Sequence, residues 1–111
     1  MNESRLIREI IATYRKHGWQ LQRVLMRSET RAEVIDKGET ILEGAEVEQS
    51  EVDALWFSRP SHGPREAWEL RLVAESPYAL FETFEADDPE ELREEARQEM
   101  EARLREYVSR A

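Results

Sequence analysis

The 111-residue chain has the length of one domain with one core, and its 40% hydrophobic and 37% charged residues describe a folded protein with an ion-rich surface. It has no Cys, which excludes disulfides, thiolate nucleophiles and Cys-based zinc sites. The longest apolar runs, residues 54–57 and 78–81, are far too short for a membrane span or a signal-peptide core, so a soluble, cytoplasmic protein is expected.

The net charge of -9 is unevenly spread. Residues 1–31 carry seven Arg or Lys against three Glu, whereas the remaining 80 carry nine basic and 22 acidic side chains. Such an acidic surface repels phosphate backbones and anionic lipid, so neither nucleic acid nor membrane is an expected partner. The basic N-terminal segment could meet an acidic protein, including a second copy of the chain.

Leu6, Ile7, Ile10, Ile11 and Tyr14 recur on one helical face, with Arg5, Arg8, Glu9, Arg15 and Lys16 on the other. Asn2 or Ser4 can cap this helix, and Gly18 ends it. Residues 19–26, which alternate at Trp19, Gln20, Leu21 and Gln22, predict a strand. Thr30, Arg31, Ala32 and Glu33 match a capping box and predict a second helix from Thr30. Its apolar positions Val34, Ile35, Ile41 and Leu42 return to one face, with Gly38 as a weak point. A short polar edge strand is expected over 45–49 and a turn over 50–53.

Residues 55–59, 66–75 and 78–85, separated by Pro60-Ser61-His62-Gly63-Pro64 and Ser76-Pro77, read as an antiparallel meander. In the middle run Trp68, Leu70 and Leu72 alternate with Glu69, Arg71 and Val73, whereas the third run has apolar residues of both parities. Asp88, Pro89, Glu90 and Glu91 announce a long terminal helix. Its expected buried stripe is Leu92, Ala96, Met100, Leu104, Tyr107 and Val108, with Glu99–Arg103, Glu101–Arg105 and Glu106–Arg110 as pairs four apart.

The grouping of strands favours an α+β two-layer domain: a mostly antiparallel sheet of about four strands with helices packed on one face, in the order α-β-α-(β)-β-β-β-α. On that arrangement Val73, Ala79 and Phe81 lie on the face the helices leave bare, and self-association would bury them.

No Gly-rich phosphate loop, HExxH or EF-hand pattern occurs, and the only two His, His17 and His62, are far apart in sequence. No catalytic residue, metal site or cofactor is expected. The best candidate for a ligand site is the turn carrying Arg59, Ser61, His62 and Arg65, whose cations could hold a phosphate or carboxylate. The plainer reading is a solvated hairpin connection. Aromatics concentrated in the meander could line a pocket, but more often such residues are core.

The leading expectation is therefore a non-enzymatic protein-interaction module, self-associating through its sheet face. Two alternatives remain. One is a small anionic-ligand binder or enzyme built on the 59–66 turn. The other is an acidic nucleic-acid mimic, which requires the carboxylates around Glu90, Glu91, Glu94 and Glu95 to form a continuous stripe.

Overall fold

The computed structural model describes residues 3–35, 42 and 44–110. The first amphipathic segment forms α1 (Glu3–Lys16), which buries Ile7, Ile10 and Ile11. A Schellman turn ends it. The Trp19 amide donates to the Tyr14 carbonyl and the Gly18 amide to that of Arg15, both at 3.0 Å, while Gly18 takes φ +88°, a conformation costly for any residue with a Cβ. The chain passes straight into β1 (Gln20–Met26).

α2 (Ser28–Val34) starts ahead of the expected capping box. The Thr30 hydroxyl does not cap locally because it donates to Asp53 Oδ2 at 2.6 Å. The same carboxylate accepts the Arg27 amide at 2.8 Å and Arg27 Nε at 3.0 Å. Asp53 is buried, and from the start of the strand next to β1 it satisfies a donor at the helix start that the N-cap side chain does not reach. The expected continuation through Gly38 and Ile41 lies outside the described residues.

β2 (Glu46–Gln49) follows, and then β3 (Ala54–Pro60), β4 (Glu66–Leu72) and β5 (Ala79–Phe84) form the meander before α3 (Glu90–Arg110). The Asp88 carboxylate accepts the Glu85 amide at 2.8 Å, and the Pro89 carbonyl opens the helix ladder toward Leu92 and Arg93. No described helix is long and apolar enough to cross a membrane.

The α+β class and the order of elements agree with the sequence reading. Among the described residues the sheet has five strands rather than about four, ordered β2-β1-β3-β4-β5, and of these pairs only β1 and β2 run parallel.

The helices, however, occupy both faces and not one. Leu55 and Phe57 of β3 pack with Val24, Ile7 and Ile11 in one cluster, whereas Ala54 and Trp56 pack with Leu25, Leu70, Met100 and Leu104 in another. Trp56 and its neighbour Phe57 are both 0% exposed although they point in opposite directions. A strand buried on both sides needs cover on both, so α1 and α2 lie on one face and α3 on the other.

The expectation of a bare face is corrected accordingly. Val73, Ala79 and Phe81 do share a face, but it is the face that carries α1 and α2. Val73 is buried in that core, while Ala79 and Phe81 lie beyond the reach of α1 and remain exposed.

Because Asp53 ties α2 to the start of β3, Asp53→Ala should cost about 3 kcal/mol by leaving the Arg27 amide and the Thr30 hydroxyl without an acceptor. Thr30→Val, which removes the hydrogen bond to Asp53 and the longer one that the hydroxyl accepts from the Arg27 guanidinium at 3.3 Å, should cost less, about 1–2 kcal/mol. Urea unfolding midpoints of the two variants check the ratio, and equal losses would contradict the role given to the carboxylate.

Candidate functional site

The turn at 61–65 joins β3 to β4. The Ser61 amide donates to the Arg65 carbonyl at 2.9 Å, the Arg65 amide donates to the His62 carbonyl at 3.2 Å, and Gly63 supplies a positive φ of 59°. Its two cations diverge. Arg59 points to the α1 face, where its guanidinium lies 4.4 Å from the centre of the Trp19 ring and donates to the His17 carbonyl at 2.7 Å. Arg65 instead pairs with Glu85 at 2.8 Å. Ser61 is half-buried and His62 exposed, and among the described residues neither side chain hydrogen-bonds to the guanidinium group of Arg59 or Arg65. A pocket of ≈ 360 Å³ adjoins the turn, with Gln20, Gln22, Ser58, Arg59, Arg65 and Glu66 in its lining. Both cations of its lining are already engaged, Arg59 by the His17 carbonyl and Arg65 by Glu85, and Glu66, paired with Arg93 at 3.2 Å, adds no positive charge, so an anion finds little to bind.

A second feature was not foreseen from the sequence: the inner face of α3 is charged. Arg97, buried to 3% exposure, stacks its guanidinium 4.6 Å from the Trp68 ring and pairs with Glu94 at 3.0 Å and with Glu90. Arg23 reaches from β1 to Glu46 at 3.4 Å, Glu48 at 3.3 Å and Glu94 at 3.4 Å. Buried Glu101 accepts Trp56 Nε1 at 2.8 Å.

Burial would raise the Glu94 carboxyl, but hydrogen bonds from Gln98, Arg97 and Arg23 outweigh it and hold the group at about 2. Glu48 shows the opposite balance. Burial pushes its carboxyl up, and the Arg23 charge does not offset that.

Perturbed acids can mark catalytic sites. Here, among the described residues, no buried side-chain nitrogen or oxygen lacks a hydrogen-bond partner, and no cluster of acidic or His side chains is placed to hold a metal ion. The buried part of the network is therefore fully paired. Glu90, Glu91, Glu94 and Glu95 do line one open surface pocket of ≈ 720 Å³ together with Gln98, but the carboxylates of Glu90 and Glu94 are paired with Arg97.

The third feature is the outer edge of β5. Leu72 donates to the Tyr78 carbonyl at 3.0 Å, which fixes the phase of the β4–β5 ladder. Leu80, Glu82 and Phe84 direct their backbone groups toward β4, and Ala79, Phe81 and Thr83 direct theirs outward. The Thr83 amide finds only the adjacent Glu82 carboxylate, at 3.3 Å. No described strand pairs with this side. The opposite edge is β2, short and carrying Glu46 and Glu48, the usual protection of an edge; β5 has one charge, Glu82, and neither Lys nor Pro.

Large apolar side chains gather at this edge. Among the described residues the exposed ones are Phe81 at 57%, Leu92 at 56% and Tyr107 at 39%. Phe81 stands on β5, its ring 6.5 Å from that of Trp19. Leu92 and Tyr107, both expected in the buried stripe of α3, lie instead on its outer side, and Tyr107 stacks on Tyr78 beside β5 at 3.7 Å. On the α1 side, Tyr14 stacks on Phe57 at 4.1 Å and its hydroxyl donates to Glu69, the cross-strand neighbour of Phe81. Burial and that carboxylate push the Tyr14 phenol up, so it stays protonated as a donor.

Comparison with protein-family models, curated proteins and solved structures returned no match.

The two acids make opposite contributions to stability. Glu94 titrates lower in the fold than its ordinary 4.5, so its stabilisation is complete above that value and is lost as pH falls toward about 2. Glu94→Gln should thus be less stable than the native chain at neutral pH, with the gap closing near pH ~2. Glu48 titrates higher in the fold, so its ionised form is disfavoured there, and Glu48→Gln should match or exceed native stability at neutral pH. Urea midpoints across this range test both signs.

Proposed function

We propose that the chain is a small non-enzymatic protein-interaction module whose contact surface is the outer edge of β5, flanked by Phe81 on one side of the sheet and by Leu92 and Tyr107 of α3 on the other. The observation that carries this reading is the coincidence of unpaired main-chain groups and exposed large apolar side chains along one sheet edge. An edge of this kind recruits an extended strand: its main chain supplies the hydrogen bonds and its flanking apolar groups supply burial. The alternative ligand site at Arg59, Ser61, His62 and Arg65 has less support, since Arg59 and Arg65 are committed to different partners on different sides of the turn.

Extended peptides selected for binding to the purified chain should slow amide exchange at Ala79, Phe81 and Thr83, and Phe81→Lys should abolish their binding. Peptides that leave those amides unprotected would overturn the proposal. So would stabilisation by a panel of phosphates and carboxylates with slowed exchange confined to residues 61–65.

A further inference from the structure

We infer that the strand recruited at this edge is β5 of a second copy of the chain, paired antiparallel about a two-fold axis that passes through Phe81. The inference rests on the interaction-module reading and adds the identity of the partner and the register.

Symmetry and backbone phase select that register. A two-fold axis perpendicular to the sheet keeps each face on its own side, so each residue can stand opposite only residues of its own parity. Centring the pair on Leu80 sets the outward group of Thr83 against Pro77, which has no N–H to give. Centring it on Glu82 sets two carboxylates face to face. Centring it on Phe81 opposes Ala79 to Thr83, Phe81 to Phe81 and Thr83 to Ala79. All the outward residues of both strands are then used, giving about six main-chain hydrogen bonds. The two Phe81 rings form a cross-strand aromatic pair on the exposed face. On the other face each Glu82 is opposed by Leu80 and not by its own copy.

The α3 layer fits the same axis. Glu94 and Glu101 reach Arg23 on the β1 side of the helix. At about 100° per residue, Leu92, Glu99 and Arg103 lie on the opposite side, overhanging the β5 edge. Arg97 near Phe84 and Tyr107 on Tyr78 show that α3 runs antiparallel to β5, which puts the level of Phe81 close to the middle of the helix. The two-fold therefore brings Glu99 of each copy beside Arg103 of the other. Both side chains are exposed, and among the described residues neither forms an ion pair within its own chain, although they stand four apart. Because α3 packs over β4 and β5, the two helices would run about 10–14 Å apart, a gap that Leu92, Arg103 and Tyr107 are long enough to bridge. Joining the copies makes one continuous sheet and removes the unprotected edge from each.

The absence of Cys makes the register directly testable by introducing single cysteines. Phe81→Cys should oxidise readily to a covalent dimer, because facing residues of a hydrogen-bonded pair have Cα atoms about 5.5 Å apart, within disulfide range. Ala79→Cys and Thr83→Cys should each cross-link poorly alone and efficiently when mixed. In sedimentation the native chain should behave as a dimer, and Phe81→Lys and Thr83→Pro as folded monomers with unchanged circular dichroism. A native chain that stays monomeric at millimolar concentration overturns the inference, while peptide protection of the same edge amides would leave the module reading standing. Cross-linking through Glu82→Cys in place of Phe81→Cys would overturn the register.

Discussion

Burial of β3 on both of its faces is the constraint from which the rest of the architecture follows. Trp56 and Phe57 are consecutive, point to opposite sides and are both sealed from solvent. At about 25 cal/mol per Å² of apolar surface, exposing either ring would forfeit several kcal/mol, comparable to much of the stability of a small domain. Each face must therefore carry a helix. With α1 and α2 on one side and α3 on the other, the three described helices are divided between two surfaces of the five described strands. That division leaves β5 covered by α3 alone and uncovered on the side where Phe81 stands.

The composition of α3 follows from the same division. Its inner face meets not only the apolar surface of Trp56 and Leu70 but also Arg23 projecting from β1, so the helix brings Glu94 and Glu101 to that cation and lays Arg97 over the Trp68 ring. Guanidinium stacking keeps the aliphatic part of Arg97 in apolar contact while its charge stays paired with Glu90 and Glu94. A charged inner face displaces apolar residues outward, which is why Leu92 and Tyr107 are found overhanging the β5 edge. The paired ion network and the open sheet edge are two outcomes of one packing arrangement.

Much of the fold was legible in the sequence. The stripe from Leu6 to Tyr14, the stop at Gly18, the alternation at Trp68, Leu70 and Leu72, and the start of the last helix near Pro89 are local signals read from spacing. The missed features are non-local. Asp53 caps α2 from a distant position, so Thr30 looked like a cap when it is a donor to that carboxylate. The second helical layer was signalled by the unbroken apolar run at 54–57, since a strand half in water alternates and this one does not. The charged face of α3 could have been found from Arg97 and Glu101, which fall on the same helical side as Met100 and Leu104. Of the site, Ala79 and Phe81 were picked out by parity. Leu92 and Tyr107 were assigned to the core because their exposure depends on where β1 places Arg23.

The most direct test of this account is an NMR measurement of proton–proton proximities around the two adjacent aromatics of β3. Opposed layers predict cross-peaks from the Trp56 indole to Met100 and Leu104 of α3 and from the Phe57 ring to Tyr14 of α1, with neither ring seeing both helices. Cross-peaks from Trp56 and Phe57 to the same helix would contradict it.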